Sequence, residues 1–408
     1  MAKVNPEIET FARIKVVGVG GSGKNALNHM INSKVKGVEF IAINTDVQDL
    51  HHSLASRKIH IGKNITRGQG AGMNPELGRR AAEETKEEIT ESLKGADMVF
   101  IACGMGGGTG TGASPIVAKI AKSEGILTVA VVTKPFFFEG SARMRLADAG
   151  LAELESEVDA LIVIPNDKIL SLVDKNTPAG DGFAMCDEIL RQAVEGISEL
   201  ITTTGKINVD FSDIRAVMQD AGTALMGVGR ATGENRAKEA ANMAINSPLL
   251  DVSINNAKGV LYVVSGGADL TMPEIADASR VITENIDKDA KVIFGYNQIE
   301  GIKKGELQVT VIATGFPNEN ITTSKAKNLF SDTGTKVVQD DMAESITLDR
   351  AERRQINNGL PEETIIVKRS EKNDSPKDIK KDEVINIVVD DGEEDNWNAV
   401  PAFLRRKK

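Results

Sequence analysis

Two glycine-rich segments hold the residues with the clearest chemistry. The first is Gly18-Val19-Gly20-Gly21-Ser22-Gly23-Lys24-Asn25, set between an apolar run and a helical pattern. It satisfies the dinucleotide pattern G-x-G-x-x-G. It also nearly satisfies the phosphate-loop pattern G-x-x-x-x-G-K-[ST], with Asn25 where a Mg²⁺-ligating Ser or Thr would stand. Both patterns share one physical requirement: glycines let backbone approach a phosphate, and a helix N-terminus favours its negative charge. The second segment is Gly106-Gly107-Gly108-Thr109-Gly110-Thr111-Gly112, preceded by Ala102-Cys103-Gly104-Met105 and followed by a helix start at Ala113-Ser114-Pro115-Ile116. It places many N–H donors and two hydroxyls at a second helix N-terminus, and it is neither a P-loop nor a dinucleotide fingerprint.

Phosphate loops need strands and helices to hold them. Apolar runs at Ile14 to Val19, Val38 to Ile43, Met98 to Ala102, Ile126 to Val132 and Leu161 to Ile164 alternate with helical patterns. That alternation predicts βαβ units and a mostly parallel sheet, whose ligands bind beyond the carboxyl ends of the strands. The fold class expected is α/β: a Rossmann-like parallel-sheet domain over residues 13–178, a long central helix over 179–204, and a smaller α/β or α+β domain over 205–317. Met185, Ile189, Val194, Ile197 and Ile201 recur at helical spacing in the central helix. The second domain shows apolar runs at Val260 to Val264, Val292 to Tyr296 and Val309 to Thr314, and Thr271-Met272-Pro273-Glu274 has the form of a capping box. Residues 1–12 read as a flexible start. Residues 318–396 are polar and charged and read as a disordered linker, and 397–408 as an apolar, basic peptide at its end.

The 408-residue chain has a formal net charge of −10, which argues against a nucleic-acid surface, so an anionic ligand must be held by backbone N–H groups and helix dipoles. Cys103 and Cys186 match no metal spacing and read as small buried hydrophobes. No apolar run is long enough to span a membrane and no signal peptide is seen, so a cytoplasmic protein is expected.

Over residues of about 12 to 317, and again at the extreme C-terminus, the chain resembles the tubulin/FtsZ family, whose FtsZ members are bacterial cell-division GTPases. Supporting motifs are Asn44-Thr45-Asp46, Gly70-Ala71-Gly72-Met73-Asn74-Pro75-Glu76, Pro135-Phe136-Phe137-Phe138-Glu139-Gly140 with Arg143, and Asn208-Val209-Asp210-Phe211-Ser212-Asp213. The terminal Val400-Pro401-Ala402-Phe403-Leu404-Arg405 is similar to the family's docking peptide. The resemblance implies GTP and GDP as ligands, with Mg²⁺ bound mainly through the phosphates and no metal site of the protein's own. It implies phosphate contacts from Gly20, Gly21, Ser22, Asn25, Gly107, Gly108, Thr109 and Gly110. Gly23, Lys24, Asn44, Gly72, Gly104 and Thr133 complete the nucleotide set, with Glu139 and Arg143 near the ribose and phosphates. Asn166 and Asp187 would read the guanine edge and Phe183 would stack on its face. An amide and a carboxylate suit guanine, whose edge offers both acceptors and donors.

Asn208, Asp210 and Asp213 match the family's synergy loop, implied to act in trans on the neighbouring subunit's nucleotide. Their types agree: acids three residues apart can face one way, and two acids with an amide can orient a water for attack on a γ-phosphate. Helix capping by the same acids is the alternative. The resemblance also implies head-to-tail self-assembly, a role in the division ring at mid-cell, and partners, membrane-tethering and regulatory, reached through Val400 to Arg405 without direct membrane insertion. Ser22 stands where the family usually has glycine. Lys24 lies at a variable position and is expected to face solvent. A nucleotide-binding structural protein without hydrolysis remains a second reading. A dinucleotide-dependent oxidoreductase is a third, with Asp46 at about the spacing expected for a ribose-binding acid.

Overall fold

The computed structural model describes residues 12–170, 177–202, 210–247, 254, 257–298 and 305–316. The expected linker, the terminal peptide and Asn208 lie outside the described residues. Among the described residues are β1 (Ile14–Val19), β2 (Val38–Asn44), β3 (Arg57–His60), β4 (Met98–Gly104), β5 (Leu127–Lys134), β6 (Ala160–Pro165), β7 (Gly222–Thr232), β8 (Gly259–Gly266), β9 (Lys291–Gln298) and β10 (Glu306–Thr314). They form one sheet in the order β3-β2-β1-β4-β5-β6-β7-β10-β8-β9.

The first six strands are parallel throughout. Parallel strands covered on both faces read as continuous apolar runs, and all six residues of β1 are buried. Alternate residues serve opposite cores: Val16, Met98 and Phe100 join one cluster, while Val17, Val99 and Ile101 join the other. Helices α1 (Gly20–Asn32), α2 (Val47–His51), α3 (Lys63–Thr66), α4 (Pro75–Glu84), α5 (Lys86–Leu93), α6 (Thr109–Ser123), α7 (Ser141–Glu157) and α8 (Asn166–Leu170) accompany these strands.

One sheet runs through both halves of the described chain. β7 pairs parallel with β6 over Ala160↔Gly222 to Ile162↔Ala224, then antiparallel with β10. A helix, α9 (Ala179–Thr202), lies across the join. Its Ile189, Ala193, Val194 and Ile197 share a core with Ile162 of β6, Met226 of β7, Leu261 of β8 and Ile312 of β10. The expected apolar stripe is thus the surface that unites the halves. The second half adds α10 (Phe211–Met218), α11 (Arg236–Ile245) and α12 (Met272–Thr283). The capping box forms: Glu274 accepts from the Thr271 N–H at 2.8 Å.

The second glycine loop is set by close backbone packing of α4 on α6. A Cβ on Gly112 would collide with the Pro75 carbonyl, and one on Gly78 with the Gly108 carbonyl. Gly112→Ala is therefore an overpacking change, expected to cost about 1–3 kcal/mol. Thermal unfolding should show the midpoint several degrees lower; an unchanged midpoint would show that α4 can give way.

Candidate functional site

Helices α1 and α6 both begin at the carboxyl ends of parallel strands, the first straight from β1 and the second one loop after β4. Neither has a side-chain cap hydrogen bond or an acid in its first turn. The first-turn N–H groups of both helices thus carry uncancelled partial positive charge. Both N-termini line one cavity of about 430 Å³. The two loops touch: a Cβ on Gly20 would stand 3.1 Å from the Gly110 nitrogen. The Thr45 and Thr109 hydroxyls join at 2.6 Å across the same seam. The two threonines of the second loop divide the work. Thr109 lines the cavity, while the buried Thr111 hydroxyl accepts from the Gly106 N–H at 2.8 Å and fixes the loop.

Gly20, Gly21, Ser22, Asn25, Gly72, Gly104, Gly107, Gly108, Thr109, Gly110 and Thr133 line this cavity, as do Glu139, Arg143, Asn166, Phe183 and Asp187. Glu139 is held at both oxygens, accepting from the Phe136 N–H at 3.0 Å and from Arg143 at 2.6 Å. Phe183 is 52% exposed and meets Phe136 edge-on at 5.4 Å, which leaves a face free for a planar ligand. Asn166 is buried and its Oδ1 has no hydrogen-bond partner, the condition of an acceptor waiting for a donor. Burial pushes the Asp187 carboxyl up to about 6, against the opposing pull of His29 and Lys24. The sequence reading did not pick out Val19, Met105, Pro135, Cys186 and Leu190, which also line the cavity. Cys186 and Leu190 were findable, because they follow Phe183 and Asp187 at helical spacing on one face of α9.

Three expected residues do not line the cavity. Gly23 is packed under the loop, where a Cβ would collide with the Ala102 carbonyl. The Asn44 side chain bonds within the protein, to Asp49 and to the Thr45 N–H. Lys24 does not face solvent as expected. It is 8% exposed and its ammonium lies 2.7 Å from Asp49, because its place on α1 faces α2. Asp46, the acid a dinucleotide reading would place on a ribose, instead accepts from the Asp49 N–H as the cap of α2.

Asp210 and Asp213 lie apart from the cavity. Asp210 sits at the N-cap of α10 without a side-chain cap bond, and both acids are exposed. The helix they begin is followed by Asp220 and Gly222, whose N–H groups bond Asp159, just before the amino end of β6. Asn166 stands at the carboxyl end of that strand, so α10 leads into the end of β6 away from Asn166.

The sequence matches the Tubulin/FtsZ family GTPase domain over residues 13–174 and the FtsZ family C-terminal domain over residues 222–317. The chain is 47% identical to FtsZ of M. jannaschii, solved as an empty dimer, over 75% of this chain and 89% of that one, with a TM-score of 0.72. This chain belongs to the tubulin/FtsZ family. CetZ2 of Haloferax volcanii, solved as a protofilament with GTPγS, shares the fold at 22% identity and a TM-score of 0.64, covering 75% of this chain and 94% of that one. A tubulin/FtsZ chain carries a GTPase domain, and the cavity described here lies within the matched residues and the helix that follows them.

Asp187 gives this tubulin/FtsZ protein a measurable signature. An acid whose pKa is higher folded than unfolded costs stability progressively as pH rises from 3.8 to about 6. Asp187→Asn removes that cost, so the nucleotide-free protein should gain about 1–2 kcal/mol at pH 7.5, discounted for partial exposure, and nothing near pH 3.5. Chemical denaturation at the two pH values checks this; a variant less stable at pH 7.5 would refute the assigned environment.

Proposed function

We propose that this chain binds GTP in the cavity, polymerises head to tail, and hydrolyses GTP to GDP and phosphate where two copies meet. The phosphates lie against the two glycine loops and their helix N-termini. The fit to guanine rests on chain groups of matching character. The orphaned Asn166 Oδ1 or its amide faces the ring, Asp187 accepts from the N1–H and exocyclic amine, and Phe183 stacks on the base. A ligand that donates two hydrogen bonds to Asp187 selects its ionised form, so GTP affinity falls as pH drops below about 6. Mg²⁺ accompanies the nucleotide mainly through its phosphates.

The observation that carries the assembly reading is the separation just described. Asp210 and Asp213 are exposed, Asp210 makes no side-chain cap bond, and neither lines the cavity of its own chain; the helix they begin leads to the amino end of β6, whereas the cavity's Asn166 follows the carboxyl end of that strand. They serve a phosphate only in another copy. A contact between opposite ends is heterologous and propagates into filaments. Exposed apolar side chains support such a contact at both ends: Phe137 and Phe138 beside the cavity, and Val292 on β9, the strand against α10. There Asn208, Asp210 and Asp213 orient a water for in-line attack on the γ-phosphate of the neighbour. In a cell, the filaments organise the bacterial division ring at mid-cell, and Val400 to Arg405 dock membrane-tethering partners.

Asp213→Ala should abolish turnover, by a factor on the order of a hundred or more, while GTP affinity stays within about twofold. Wild-type turnover per subunit should rise with protein concentration. A flat rate from dilute to concentrated protein would rule out the shared site. Deleting Val400 to Lys408 should leave turnover intact and weaken capture by a membrane-tethering division protein in a pull-down; undiminished capture would refute the docking role.

A further inference from the structure

Behind the first glycine loop lies a pair of charges that nucleotide contact does not explain. Lys24, in the second turn of α1, is 8% exposed, and its Nζ is 2.7 Å from Asp49 Oδ1. The other carboxylate oxygen accepts from Asn44 Nδ2 at 2.8 Å. Asn44 in turn holds the strand-end turn, its Oδ1 accepting from the Thr45 N–H at 2.9 Å. Thr45 joins its hydroxyl to Thr109 of the second loop at 2.6 Å. Asp49 is therefore the joint through which α1 and the second loop are braced together. Its location is electrostatically awkward. Asp49 Oδ2 lies 3.5 Å from where a Cβ on Gly21 would stand, and Gly21 lines the cavity.

A bare carboxylate there would oppose any polyphosphate. Two unit charges about 7 Å apart at an effective dielectric of about 20 repel enough to cost more than tenfold in affinity. We propose that Lys24 is a positioning and charge-masking residue: it neutralises Asp49, so that a brace made from a carboxylate can stand directly behind a phosphate site. The proposal rests on the reading of the cavity as a nucleotide site and adds to it a specific function for the Lys24–Asp49 pair. It also accounts for a lysine in a glycine loop that turns away from the cavity instead of toward it.

The test uses the full chain and measures dissociation constants for GTP, GDP and GMP by calorimetry, with circular dichroism to confirm folding. Lys24→Met should weaken GTP by about tenfold, GDP less and GMP least, because repulsion grows with phosphate charge. The deficit should shrink at high salt, where the Debye length contracts to a few ångströms. Lys24→Arg should bind like wild type. Asp49→Asn keeps an acceptor for Asn44 and should bind GTP at least as tightly as wild type, with a steeper salt dependence. Lys24→Met combined with Asp49→Asn should bring GTP affinity back to within about threefold of wild type.

Equal losses for all three nucleotides, or a double variant no better than Lys24→Met, would overturn charge masking in favour of simple packing. Asp49→Asn binding GTP more weakly than wild type would overturn it too, and that arm stands even if Lys24→Met does not fold. Wild-type protein that fails to bind GTP would instead remove the nucleotide reading. Wild-type binding with Lys24→Met unaffected would remove only the masking.

Discussion

The site depends on how closely two stretches of backbone approach each other. Gly20 and Gly110 come from different βα connections, yet a Cβ on Gly20, whose φ is +73°, would stand only 3.1 Å from the Gly110 nitrogen. That proximity brings two helix N-termini to one cavity, so their dipoles add where a single helix would supply about half a positive charge. An acidic chain of net charge −10 cannot attract an anion by general basicity. It needs this local and directional field, and only glycine permits the spacing that creates it. The α4–α6 packing, the Thr45–Thr109 bridge and the Lys24–Asp49–Asn44 brace all serve to keep the two loops in register.

Much of this was legible in the sequence because the decisive residues act through backbone freedom and helix starts, which are local properties. The two loops, five of the six parallel strands, the capping box at Thr271 and most cavity residues follow from pattern or from family resemblance. β3 was not readable, since Arg57-Lys58-Ile59-His60 contains one apolar residue and occupies the sheet edge. β7 was hidden by its composition: Gly222, Gly227 and Gly229 interrupt the run. The last two are there because α11 packs so near that a Cβ on either would collide with its carbonyls. β7 also joins the two halves of the sheet, because it pairs with β6 on one side and β10 on the other.

Lys24 shows a different limit. Its charge was visible, and its position in a near-match to a phosphate loop invited two simple readings, solvent or phosphate. Neither accounted for Asp49. The partner lies on a short helix after the next strand, and no periodicity links two residues across a βα connection. Tertiary placement alone decides whether such a lysine contacts phosphate, water or a buried acid.

Two adjacent carboxylates on α9 show how placement also decides function. Burial would push Glu188 up, but Arg191, His29 and Gln192 donate to it and hold it near 2, so it stays ionised and ties α9 to α1. Asp187, one residue earlier, faces the cavity, and burial holds it near 6. The first is satisfied by the protein; the second remains costly until something donates to it. This is the usual conflict between stability and binding, localised to one position on a helix. At the other end of α9, Glu199 accepts from Asn297 of β9 at 2.8 Å, joining the helix to the second half of the sheet. A 24-residue helix spans about 36 Å. This one rigid element carries Phe183 and Asp187 at the cavity and Glu199 against β9, so it couples the cavity mechanically to the second half of the sheet.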